Sequence, residues 1–198
     1  ALCFQLFENN GVIKRETVHQ MIKNISKEDR LSLRKAGVKI GRYHIFLPKV
    51  LKPSAVNLRI KLWKLSFPED KKYTIPKSGL NFLKDESKKN NKFLLLCGFE
   101  NFDKFYVRVD ILERLFLKII ENTKNDVFKI DSDMINLIGC SKENFLKLLA
   151  LMQYKPKKIG NDIKEEFFTY KPRFIKNKNS KKLNKNTPFD KLSELRFR

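Results

Sequence analysis

The sequence predicts an α+β fold that is mostly helical and divided into two modules and a basic tail. Apolar residues make up 41% of the 198 residues, which is enough to form a core in a domain of ordinary size. Segments with helical apolar spacing alternate with short apolar runs, which predicts helices and short strands in turn. The predicted regions are a basic helical module with short strands at 1–70, a variable connection at 71–105, a winged-helix-like module at 106–171, and a disordered basic tail at 172–198 with a short terminal helix.

In the first module, local signals mark where elements begin and end. Ser26 precedes two acidic residues and is expected to cap a helix that ends before Gly37. Gly41 is expected to interrupt the apolar run that follows, and Pro53 fits the first turn of a helix. The predicted elements are helices at 1–8, 15–24, 26–36 and 54–65, with one or two short strands at 38–47.

The second module shows the order helix, strand, helix, turn, helix, hairpin, which is typical of a winged helix-turn-helix. Its last helix, 142–152, would be the recognition helix. Direct readout of bases needs several Arg, Asn or Gln side chains on one exposed face, but this helix is mostly apolar and residues 126–170 hold equal numbers of acids and bases. We therefore predict a packing or docking role for this module.

The positive charge is concentrated in the first module and the tail. The chain has 43 Lys and Arg against 22 Asp and Glu, a net charge of +21; residues 1–70 hold 14 basic and 6 acidic side chains, and residues 171–198 hold 10 and 2. Residues 30–68 contain no acid, and their cations alternate with large apolar side chains. Such an array suits a polyanion, because neutralising phosphates releases condensed counterions. A solvated basic surface is the alternative interpretation.

The candidate binding residues come mainly from this acid-free stretch. For His44, a structural role within the fold is the alternative to contact with nucleic acid. The expected phosphate contacts are Arg34, Lys35, Lys39, Arg42, Lys61 and Lys64, with Tyr43 or His44 as a stacking group, and Lys155, Lys157 and Lys158 as one basic edge of the second module.

Several enzyme and metal classes lack their sequence signals. No P-loop motif and no paired acid and base stand out. Cys3, Cys97 and Cys140 are distant in sequence and form no C-x-x-C pair, so a disulfide framework or a zinc site is not expected. Cys140, at a predicted helix start, has either a lowered pKa or a buried structural role. We predict reduced thiols, a cytoplasmic location, no membrane span and no cofactor or metal in this chain.

Four segments resemble one protein family. They are GVKIGRYHIFLPKVLKPSAVNLRIKLWKL (37–65), VRVDILERL (107–115), INLIGCSKENFLKLLALMQYK (135–155) and TPFDKLSEL (187–195). In this order they resemble the C-terminal region of bacterial superfamily 2 (DExH-type) helicases related to the mitochondrial degradosome RNA helicase. The resemblance implies two RecA-like domains upstream of Ala1, which would bind ATP and Mg²⁺, and it implies an accessory role for this chain.

The expected function is that of a nucleic-acid-binding accessory region of an ATP-dependent helicase. Its partners would be single-stranded or duplex RNA or DNA, the helicase core in the same polypeptide, and a nuclease or another protein. A stand-alone RNA-binding module and a protein-docking scaffold are the alternatives. Contacts to the backbone do not separate RNA from DNA unless a 2′-hydroxyl or a base is also contacted.

Overall fold

The computed structural model describes residues 1–66, 73, 75–85, 91–157 and 167–170. About half of these residues are helical, and their strands form three small antiparallel sheets. The predicted α+β class is therefore confirmed. The predicted tail at 172–198 and its short helix lie outside the described residues. Within the described ranges, no helix combines the length and the apolar character that a membrane crossing requires.

The elements follow one another closely along the chain. The helices are α1 Leu2–Glu8, α2 His19–Asn24, α3 Lys27–Lys35, α4 Pro53–Ser66, α5 Asn91–Leu96, α6 Val109–Glu121, α7 Ser132–Ile138 and α8 Lys142–Leu151, with a 3₁₀ helix at Pro48–Leu51. The strands are β1 Val12–Lys14, β2 Lys39–Ile40, β3 His44–Phe46, β4 Phe82–Lys84, β5 Phe99–Phe102, β6 Phe105–Arg108, β7 Thr123–Lys124, β8 Val127–Lys129, β9 Lys155–Pro156 and β10 Phe167–Thr169.

The predicted Ser26 cap is present, and a second hydroxyl and a glycine delimit other helices. The Ser26 hydroxyl accepts a hydrogen bond from the Asp29 N–H at 3.0 Å at the start of α3. The Ser141 hydroxyl does the same for α8. Gly139 ends α7 with a left-handed backbone (φ 76°), a conformation that glycine adopts without steric cost. Local chemistry therefore sets these helix limits.

The first sheet has the order β1-β3-β2, and its two faces pack differently. Ile13 pairs with Ile45, and both belong to the apolar cluster that includes residues of α1 and α2. Because side chains alternate across a strand, Lys14 and its partner His44 lie on the opposite face. That face is directed toward α6 and β5, where the acidic residues described below are found.

The second sheet, β4-β6-β5, lies largely within the predicted variable connection. Alternate side chains of β6 enter two different cores. Phe105 and Val107 join the cluster of α6, α7 and α8, whereas Tyr106 joins the cluster of α4 and α5. Residues 82–102 thus supply β4 and β5 to a sheet that contacts both predicted modules, and the sequence did not predict this.

The third sheet has the order β7-β8-β10-β9 and accompanies α6, α7 and α8. Its strands and helices occur in the predicted order along the chain. Leu112, Met134, Phe145 and Phe128 are among the side chains fully buried in its core. The apolar spacing of α6, in which Leu112, Leu115 and Ile119 are all buried, is that of a helix with one inward face.

Candidate nucleic-acid interface and its supporting carboxylates

The turn between β2 and β3 is held on α6 by a single carboxylate. Glu113 is only 8% exposed. Its Oε2 accepts the Arg42 N–H at 2.5 Å, and its Oε1 accepts the N–H groups of Tyr43 and His44 at 2.7 and 2.8 Å. Hydrogen bonds to an ionised acceptor are about twice as strong as neutral ones. Three consecutive peptide groups are thereby fixed to one side chain that lies about 70 residues away in sequence.

Gly41 is required by this arrangement. A Cβ built on Gly41 would overlap the Glu113 carboxylate. Any larger residue would therefore push the carboxylate away from the N–H groups that it accepts. This close approach gives a physical reason for glycine in the segment Gly41-Arg42-Tyr43-His44.

His44 belongs to a buried ionic network. Its Nε2 lies 2.7 Å from Glu100 Oε2, and Lys14 Nζ donates to Glu100 Oε1 at 2.6 Å. Its Nδ1 lies 3.8 Å from Glu113 Oε1, which is too far for a hydrogen bond, so this carboxylate acts on the ring electrostatically. Two carboxylates thus face one imidazole and one ammonium group.

The network sets the charge of its members. Burial opposes the charged imidazole, but the hydrogen bond with Glu100 and the nearby Glu113 carboxylate outweigh it and raise the pKa of His44 above its ordinary value. Burial would also raise the pKa of Glu100, yet His44 and Lys14 hold it below its ordinary value. Imidazolium and carboxylate therefore stabilise each other inside the protein.

These contacts correct the expectation that His44 stacks on a base. The side chain is 2% exposed, so no ring face is available on the surface, and the contacts support the structural alternative. Tyr43 is half-buried; its hydroxyl lies 3.2 Å from that of Tyr154, and its ring packs edge-on against Phe116. The Arg42 guanidinium lies 5.1 Å from the centre of the same Phe116 ring. Arg42 and Tyr43 are thus partly occupied by contacts within the chain.

The other predicted cations lie on several elements. Arg34 and Lys35 end α3, and Lys39 lies two residues beyond the Gly37 turn on β2; all three side chains are exposed. The structure thereby groups these three around one turn, and no described residue forms an ion pair with them. The remaining predicted contacts lie elsewhere: Lys61 (exposed) and Lys64 (half-exposed) on α4, Lys155 and Lys157 (both exposed) in and beside β9, and Lys158, which lies outside the described residues.

A cleft that the sequence did not predict lies between the α1–β1 turn, α4 and β5. Its volume is about 400 Å³, within the usual range for small-ligand sites. Lys14, Arg59 and Trp63 are among its lining residues, and the His44–Glu100 pair also borders it. The spacing of Arg59 and Trp63, one helical turn apart on α4, was a local signal that could have drawn attention to this face.

The thiols have structural surroundings. Burial raises the pKa of Cys97 to about 12 and that of Cys140 to about 11. The lowered pKa considered for Cys140 is therefore wrong, because burial raises it. Cys3 is exposed. In the part of the chain that the structure describes, no three His, Cys, Asp or Glu side chains are grouped to hold a metal ion.

Comparison with family models, curated proteins and solved structures finds no match to this chain. The resemblance of residues 37–65 to helicase C-terminal regions thus stays a prediction. The function is accordingly inferred from the contacts and charges of the chain itself.

Glu113→Gln should lower the free energy of unfolding by about 2–3 kcal/mol, because the amide NH₂ would face a backbone N–H that now donates to a carboxylate oxygen. Urea denaturation measures this change. Glu121→Gln, an exposed position on the same helix, is the matched control and should change stability by less than about 0.5 kcal/mol. Equal destabilisation of the two variants would contradict the anchoring role of Glu113.

His44→Gln should destabilise the protein most below about pH 6.5, the ordinary pKa of histidine. A raised folded pKa means that the contribution of His44 is fully present below the unfolded pKa and is lost as pH rises through the folded pKa. Because the pKa of Glu100 is lowered in the folded protein, the stability that Glu100 contributes is lost only as the pH falls below the ordinary pKa of a glutamate. The difference in the free energy of unfolding between wild type and His44→Gln should therefore be largest near pH 5–6.5, at about 3 kcal/mol. It should become smaller at alkaline pH.

Urea denaturation at a series of pH values tests this profile. His19→Gln, which removes the other histidine of the chain, controls for the removal of a histidine as such. A difference between wild type and His44→Gln that grows with rising pH would rule out a buried imidazolium.

Proposed function

We propose that this chain binds the sugar–phosphate backbone of RNA or DNA, as the accessory region of an ATP-dependent helicase whose ATPase core lies upstream in the same polypeptide. One observation carries the binding proposal. The acid-free stretch exposes most of its cations, whereas Glu100 and Glu113, which contact it, are buried. The exposed cations of this stretch are Arg30, Arg34, Lys35, Lys39, Lys49, Lys52 and Lys61.

This separation of charge is the physical basis of the proposal. Glu113 is saturated by three backbone N–H groups, and Glu100 is shared by Lys14 and His44. Neither carboxylate is therefore available to neutralise the exposed cations. A surface with fixed cations attracts phosphates without regard to sequence.

The helicase part of the proposal is supported by the resemblance. Two of the resembling segments contact each other, because Glu113 belongs to VRVDILERL and accepts the N–H groups of residues 42–44 in GVKIGRYHIFLPK. The resembling positions thus take part in one structural interaction. ATP and Mg²⁺ would be bound by the upstream core and not by this chain.

The second module is proposed to be a winged helix that packs or docks. Strand β8 pairs with β10, and β10 pairs with β9, beside three helices, which is the pattern of that fold. The buried face of α8 contains Phe145, Leu148 and Leu149, and Lys147 is paired with Glu143. This helix therefore has few groups with which to read bases, while Lys155 beside it is exposed.

Protein docking is the second candidate function, and a row of leucines on α4 favours it. Leu58, Leu62 and Leu65 are 58%, 56% and 78% exposed and recur at helical spacing. Lys61 lies among them, so the fitting partner would present an apolar surface with acidic side chains. Such an interface would depend on salt much less than phosphate binding does.

Replacing Arg34, Lys35 and Lys39 together by Gln should weaken binding to single-stranded RNA about equally for different sequences. The slope of log K against log salt should fall by about 0.7 for each phosphate that the variant no longer neutralises. Fluorescence anisotropy of a labelled oligonucleotide across a salt series measures both quantities.

The matched control replaces Lys23, Lys27 and Lys124, which are exposed and lie outside the acid-free stretch. This control removes the same net charge. Comparing the two triple variants therefore distinguishes the effect of where the cations lie from the effect of the total charge. An equal fall of the slope in both triple variants would show that the position of these cations does not matter. An unchanged slope in the first variant would remove Arg34, Lys35 and Lys39 from the interface.

A further inference from the structure

The cleft beside α4 combines groups that suit a nucleotide. Its lining residues include Arg59 and Trp63 of α4, and Asn9 and Asn10 of the α1–β1 turn. Apolar lining comes from Val12, Leu95, Leu96, Phe99 and Val109. A cleft of about 400 Å³ with this mixture is large enough for a mononucleotide.

Arg59 is the lining residue of the cleft that is best suited to bind an anion. In the described ranges it forms no ion pair; its Nε is buried without a hydrogen-bond partner, and its Nη1 reaches the Val50 carbonyl only at 3.4 Å. Burial lowers its pKa from the ordinary value. A phosphate oxygen at the terminal nitrogens of the guanidinium would offset this burial, because Arg matches phosphate in both charge and geometry.

Trp63 supplies a planar surface one helical turn from Arg59. Its indole is half-buried, and its ring lies 5.7 Å from that of Phe93 and 6.0 Å from that of Tyr73. These neighbours hold the indole in place along the wall of the cleft. A fixed aromatic ring beside a cation is the usual platform for an unstacked base and its phosphate.

We infer that this cleft holds one unstacked nucleotide of the bound strand, with its phosphate at Arg59 and its base against Trp63. The inference deepens the proposed nucleic-acid function and rests on it. The exposed cations around Lys39 would hold the backbone, and the cleft would accept a single base without reading its sequence.

Trp63 is the only tryptophan of the chain, so fluorescence excited selectively in tryptophan reports on this residue. The experiment titrates the full chain with adenosine 5′-monophosphate, with inorganic phosphate and with a single-stranded oligoadenylate. Anisotropy of the labelled oligoadenylate reports strand binding separately. The inference predicts that the nucleotide and the oligomer quench Trp63 and that phosphate alone has little effect.

Variants of α4 make the test specific. Arg59→Gln should weaken nucleotide binding about tenfold, and Arg59→Lys, which keeps the charge but loses the planar set of donors, should weaken it by less. Lys27→Gln removes the same charge from an exposed position outside the acid-free stretch and should change affinity less than about twofold. Circular dichroism confirms that each variant is folded.

Three results would overturn the inference. They are an oligomer that binds by anisotropy without changing Trp63 fluorescence, phosphate that acts as strongly as the nucleotide, and equal effects of the Arg59→Gln and Lys27→Gln changes. The first of these leaves the backbone-binding function intact. Absence of any strand binding would instead overturn the proposed function and the inference together.

Discussion

The interaction on which the first module depends is the one between the Glu113 carboxylate and three successive backbone N–H groups at 42–44. A helix and a two-strand turn that are distant in sequence are joined there by charge-assisted hydrogen bonds in a buried site, where such bonds are strong and costly to leave unmade. Gly41 leaves room for the carboxylate. The His44 side chain lies beside the same site and contacts Glu100, which also accepts a hydrogen bond from Lys14. Much of the placement of β3 follows from the Glu113 side chain.

The same network separates charge in space. Because Glu100 and Glu113 are directed inward, the surface of the acid-free stretch is left with cations, most of them exposed. The network also borders the cleft in which Arg59 and Trp63 lie. A buried anchor, a cationic surface and a cleft with an aromatic wall are thus three parts of one arrangement. Cations on a folded surface bind a polyanion at a lower entropic cost than those of an unfolded segment, because less of the chain must be ordered on binding.

The elements that the sequence predicted well are those with local signals. The limits of α3 and α8 follow from Ser26 and Ser141. Strands β4 and β5 were not predicted, because segments of three or four residues are stable only when paired with β6. A structural role for His44 was an open alternative at the level of the sequence, but its partners were not predictable. Its partners Glu113 and Glu100 lie 69 and 56 residues away, and nothing local marks either acid as buried.

The central claim is that the folded cationic surface, and not the basic tail, binds nucleic acid. The most direct measurement is the affinity for single-stranded RNA of residues 1–198 and of residues 1–171 across a salt series. The account predicts that the shorter chain keeps most of the affinity and a steep dependence on salt, because the exposed cations of residues 30–66 remain. Disappearance of binding together with the tail would contradict it and would leave the folded part as a docking scaffold.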